Sequence, residues 1–135
     1  MNKAIKLNTN GSMEIVDVPE QNFLEWCYRQ IDTDLIENIY PRGLSKPYML
    51  VADEEALLKD QPVINFLASW LYETQNHGHP ICGTVLVMQQ VINEHGFDTD
   101  GIPADKAMEL AVSIANMLPT AVRAIKEKLG NQIKF

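Results

Sequence analysis

The residues best suited to chemistry lie in one short loop, His77-Gly78-His79-Pro80-Ile81-Cys82, with His95 following later. Imidazole and thiolate are zinc ligands, and His-x-His-x-x-Cys brings three such donors close together. The spacing is not that of a common structural zinc site, however. A fourth donor has to come from His95 or Cys27, and Cys82 opens an apolar run that reads as a strand. The expectation is a satisfied polar loop, with no metal and no cofactor. Cys27 and Cys82 read as small buried hydrophobes in a reducing compartment.

Carboxylates are the second resource, grouped at Asp53-Glu54-Glu55 and at Asp98/Asp100. Acid–base catalysis needs two carboxyls held in one cleft with separated pKa values. Adjacent strand residues point to opposite faces, so acid–base work requires folding to bring distant carboxyls together. The chain has no Gly-x-Ser-x-Gly, phosphate loop or dinucleotide fingerprint, and so no support for hydrolase, NTPase or Rossmann chemistry. No catalytic residue is assigned.

Eighteen acidic and eleven basic residues give a net charge of −7. Residues 123–135 hold Arg123, Lys126, Lys128 and Lys134 against Glu127, a local +3, which leaves −10 on residues 1–122. A body with that charge repels phosphate, so direct nucleic-acid binding is not expected. The acidic exterior is either a solubility feature or a surface that occupies a basic groove on another protein. The basic end also suits the negative pole of a terminal helix.

The elements that must position these residues follow from periodicity. With 135 residues and 46% hydrophobic content, one globular domain is expected. No apolar run approaches the ~20 residues of a membrane span, and the first residues lack the apolar core of a signal peptide. The expected location is the cytoplasm. Alternation in Lys3–Leu7 and Met13–Val18 around Asn10-Gly11 predicts a hairpin. Phe23, Cys27 and Ile31, with Leu24 and Tyr28 beside them, predict a helix over 20–31. Leu35, Ile36, Ile39 and Tyr40 predict a strand, and Tyr48–Ala52 a central strand covered on both faces. A second helix is expected from Pro62 to Glu73, with Asp60 as its cap. Val85–Met88 reads as another buried strand, and Asn93–Gly101 as a polar loop. Trp26, Trp70, Tyr28, Tyr40 and Tyr48 are expected to pack in the core.

From Pro103 onward the pattern is helical. Leu110, Ile114, Met117, Leu118 and Ile125 belong to one long apolar stripe, which Pro119 must kink or split. The stripe is more than one small sheet needs. It either folds back on its own sheet or buries against a second copy, and those five residues are the candidate oligomer interface.

Three segments carry a resemblance: Tyr48-Met49-Leu50-Val51-Ala52-Asp53-Glu54-Glu55, then Leu58-Lys59-Asp60-Gln61-Pro62-Val63-Ile64-Asn65, then Pro80-Ile81-Cys82-Gly83-Thr84-Val85-Leu86-Val87. Together they resemble domain of unknown function 3846, a small family of bacterial phages and mobile elements, mainly over residues 48–91. The resemblance implies a context and brings no catalytic residues. The matching residues also have structural explanations: Asn65 as a cap or backbone pin, Gly83 as a bulge or close approach.

The expected fold is α+β: a mainly antiparallel sheet of about five strands with two packed helices over residues 1–97, and a C-terminal helical extension over 98–135. The expected function is that of a non-catalytic phage or mobile-element accessory protein. It binds and blocks a host protein with a basic groove, such as a nucleic-acid-handling defence enzyme, through Asp53, Glu54, Glu55, Asp98 and Asp100. The alternative is an oligomeric sink for a nucleotide signal, with Arg29, Arg42 or Arg123 as phosphate forks.

Overall fold

The computed structural model describes residues 2–76 and 78–130. Its elements are β1 (Lys3–Leu7), β2 (Met13–Asp17), α1 (Phe23–Ile31), β3 (Ile36–Ile39), β4 (Tyr48–Asp53), a 3-10 turn (Ala56–Leu58), α2 (Phe66–Tyr72), β5 (Val85–Asn93), β6 (Gly96–Asp100), α3 (Ala104–Ala115) and α4 (Leu118–Leu129). The strands form one antiparallel sheet in the order β2-β1-β5-β4-β3, with β6 paired to β5. An α+β fold is thus confirmed, with six strands rather than about five.

β5 sits at the centre because its composition suits no other place. Val85, Leu86, Val87 and Met88 are all fully buried, which requires cover on both faces of the sheet. Alternation sends Val85 and Val87 into one layer with Ile5, Leu7, Leu50 and Ala52, closed by Leu67, Ala68 and Leu71 of α2 and by Ala107 and Ile114 of α3. Leu86 and Met88 enter the opposite layer with Met49 and Val51, closed by Trp26, Cys27 and Ile31 of α1. The expectation for Tyr48–Ala52 holds for the same reason. Of the aromatics expected in the core, Trp26 is buried and Tyr48 and Trp70 pack half-buried against it, whereas Tyr28 lines a cleft and Tyr40 is exposed, its hydroxyl accepting from Gln90 Nε2 at 3.2 Å.

α2 starts later than its sequence suggests. Residues 63–65 stay extended because their backbone pairs with 81–83: Gly83 N–H donates to Val63 O at 2.8 Å and Asn65 N–H to Ile81 O at 2.9 Å. The cap is therefore Asn65 and not Asp60, its Oδ1 accepting from Ala68 N–H at 3.0 Å. The Asn65 amide also donates to Leu7 O at 3.0 Å and Gly83 O at 2.9 Å. Asn65 both caps the helix and pins it to the sheet.

Pro119 splits the C-terminal stripe into two helices, as its missing N–H requires. Both fold back on the chain itself. Ile114 is fully buried in the main core, and Ile125 in a smaller cluster with Ile64, Cys82 and Leu129. Leu110, Met117 and Leu118 are half-buried against the main core. Of the candidate interface residues, Ile114 and Ile125 are interior to the single chain and present no surface to a second copy, with α3 packed on β1 and β2 and α4 on α2. The boundary expected at 97/98 falls inside β6, whose residues 96–100 all pair with β5. Lys134 and the other residues after Gly130 lie outside the described residues.

Candidate functional site

The C-terminal end of β4 gathers charge from three segments. Asp53 closes the strand and is buried. Its Oδ2 meets Lys59 Nζ at 2.9 Å, while Oδ1 accepts from Thr33 Oγ1 at 2.9 Å and from Glu55 N–H at 3.0 Å. Burial alone raises its pKa, but the hydrogen bonds from Lys59, Glu55 and Thr33 outweigh it and hold the carboxyl below its ordinary value. Lys59 also donates to Asp32 O at 3.0 Å. Hydrogen bonding to Asp53 raises the Lys59 pKa, with Asp32 and Asp34 adding to the effect.

Near buried Asp53 and its exposed partner Lys59 stand five exposed carboxylates, Asp32, Asp34, Glu37, Glu54 and Glu55, of which Glu37 and Glu54 line a separate cleft with Ala52 and His79. Partial burial, the charge of Glu54 and the charge of Asp53 raise the pKa of Glu37. A cleft of about 520 Å³ opens here, lined by Tyr28, Arg29 and Leu58 as well as by acids. Leu58, on the 3-10 turn, is 82% exposed. The arrangement is an anionic rim with an apolar knob. Asp53 itself is engaged by Lys59, Thr33 and the backbone of Glu55.

Asp53 is therefore corrected as a docking residue: it organises the rim from inside, while Glu54 and Glu55 face solvent. Asp32, Asp34 and Glu37 were not singled out from the sequence, since nothing local links residues 32–37 to 53–59. The β3–β4 pairing Ile36 to Asp53 makes that link.

Asp98 and Asp100 are exposed, but elsewhere. They stand on strand β6 and not in a polar loop. Val51 pairs with Leu86 and Asp98 with Val91, which puts Asp53 and Asp98 about 23 Å apart along the sheet. The two acidic groups form two surfaces.

The described residues of the histidine-cysteine loop are tied to α2 and the turn after it by hydrogen bonds. Ser69 Oγ donates to Ile81 O at 3.2 Å and accepts from Ile81 N–H at 2.9 Å, and Thr74 Oγ1 donates to His79 O at 3.1 Å. Cys82 is buried, and burial raises its thiol pKa. His95 lies on the β5–β6 turn, at the far end of β5 from Cys82. His77 lies outside the described residues. Among the described residues, no three His, Cys, Asp or Glu side chains are grouped so as to hold a metal, and no helix is long and apolar enough to cross a membrane.

The class so defined is a small α+β protein with one antiparallel sheet, helices on both faces and two separate carboxylate-rich ends. Residues 1–110 match the family described as Domain of unknown function (DUF3846), and the chain belongs to that family. The match reaches well beyond residues 48–91, taking in the opening hairpin, α1 and the first half of α3. No curated protein and no solved structure matches the chain.

Proposed function

We propose that this is a non-catalytic accessory protein of a phage or mobile element, which docks on a basic surface of a host protein and blocks it. A nucleic-acid-handling defence enzyme suits the chemistry, because its groove is built to receive phosphates. The observation that carries this reading is the cleft at the end of β4, where the exposed Asp32, Asp34 and Glu55 stand beside the exposed Leu58, with Glu37 and Glu54 lining a neighbouring cleft. Exposed charges at fixed spacing steer association, and an apolar residue among them supplies desolvated contact. Affinity capture from host lysate with the full chain as bait tests it. One stoichiometric host protein is expected, its binding weakened steeply by salt and lost with the double variant Glu54→Gln/Glu55→Gln. Salt-insensitive binding overturns the mechanism.

A nucleotide-signal sink has less support. Of Arg29, Arg42 and Arg123, Arg29 alone lines the β4-end cleft, where Asp32, Asp34, Asp53 and Glu55 outnumber it and Lys59.

A further inference from the structure

The opposite end of the sheet carries a second surface with a distinct geometry. Among the described residues β6 pairs with β5 alone, leaving its other edge open. Asn93 and Gly96 close the hairpin across Glu94-His95. The closing pair of such a turn is hydrogen-bonded, so residues 96, 98 and 100 bond to β5, while 97 and 99 turn their backbone groups outward. The side-chain bonds agree with that alternation. Thr99 N–H donates to Asp98 Oδ1 at 2.8 Å, and Gly101 N–H donates to Asp100 Oδ1 at 2.7 Å. The amides of Thr99 and Gly101 are each masked by the carboxylate of the residue before, a device that blunts an edge against neutral strands.

Beside these residues runs a groove of about 750 Å³, with Val18, Phe23 and Val91 as its apolar part and Glu20, Asp98 and Asp100 as its charged part. Among the described residues that line it there is no Lys, Arg or His. At the hairpin end, the paired Ile92 and Phe97 are 77% and 71% exposed.

We propose that this groove takes an extended peptide segment in which Lys or Arg alternates with apolar residues, added to the open edge of β6 as a further strand. Main-chain bonds to residues 97 and 99 give affinity, and alternate side chains give specificity. The peptide's cations neutralise Asp98 and Asp100, and its backbone takes over the amides those carboxylates mask. A second copy of this chain is the poorer occupant, since pairing β6 with itself sets Asp98 and Asp100 against like charges. The inference shares with the proposed host docking only the sign of the partner's charge, and it uses a different end of the sheet.

The test is titration of the isotope-labelled full chain with a capped, alternating Lys-Val peptide of about seven residues, an ordinary strand length, followed by amide NMR. Shifts are expected at Phe97, Thr99 and Gly101 and along residues 18–23, with no comparable response to the matching Glu-Val peptide. Asp98→Asn/Asp100→Asn should weaken binding about tenfold. Thr99→Pro removes an outward N–H that β5 does not use and should abolish binding, with cross-strand contacts between β5 and β6 confirming the hairpin. If that variant loses the hairpin, the Asn double variant still decides. Glu54→Gln/Glu55→Gln should bind the peptide unchanged, so failed host capture with intact peptide binding overturns the docking proposal alone. Shifts confined to the β4 end, equal affinity for the Glu-Val peptide, full binding by the Asn double variant, or peptide-free dimerisation through β6 would each overturn this one.

Discussion

The side-chain amide of Asn65 donates to the main-chain carbonyl of Leu7 at 3.0 Å, across 58 positions of sequence. This contact fastens the start of α2 to the end of β1, and the same side chain caps the helix and holds Gly83. Asn65→Ala removes the cap and the donor to the buried carbonyl of Leu7 and the half-buried one of Gly83. The expected loss is about 2–4 kcal/mol, read as a lower denaturation midpoint with an unchanged m-value.

The Asp53 carboxyl is held below its ordinary value of 3.8 in the fold. For an acid so shifted, the stabilisation is present above the unfolded pKa and fades as pH falls through the folded one. Stability should therefore drop as acid is added below about pH 4. Asp53→Asn should flatten that part of the profile while costing about 1–3 kcal/mol at neutral pH. Urea titrations across the acid range check both.

Glu37 is shifted the other way, by partial burial and the neighbouring charges of Glu54 and Asp53. A carboxyl whose folded pKa is raised weakens the fold as pH rises through its ordinary value of 4.5 towards the folded one. Glu37→Gln should thus give a small rise in Tm at pH 7, and no gain below the ordinary value.

Ile114 is buried inside the chain, so Ile114→Ala should cost about 2–5 kcal/mol through the cavity it leaves. Met108 and Val112 are exposed on the same helix. Replacing both with Ser should leave stability within about 0.5 kcal/mol. Thermal melts separate the two cases, and sedimentation shows whether either change alters the oligomeric state.

Cys27 is fully buried, and burial pushes its thiol up to about 12, with Cys82 raised for the same reason. Both thiols are free. A thiol reagent should modify the folded protein slowly at pH 8 and label both cysteines promptly in denaturant.

Periodicity was a good guide wherever side chains alone decide the element. The opening hairpin, α1, both buried strands and the break at Pro119 all follow from local pattern. β6 was hidden because Asn, Glu, His, Asp and Thr dominate Asn93–Gly101, with Phe97 as its one large apolar residue. It is a strand because β5 runs past β1 and offers an edge to pair with. The short Glu94-His95 connection between alternating stretches was the available clue. The stripe through Ile114 and Ile125 was legible as apolar, but its burial partner was not, since an amphipathic face looks the same whatever covers it. Asp53 was legible as a carboxylate. Its burial depends on Thr33, a position brought close only by strand pairing.

β5 separates the β1–β2 pair from the β3–β4 pair, and it comes after both in the chain. A ribosome that has delivered residues only as far as 84 holds two isolated ribbons with no shared edge, each too small to persist alone in water. Emergence of residues 85–88 joins them in a single event. Synthesis order therefore delays joining of the sheet until residues 85–88 have left the exit tunnel.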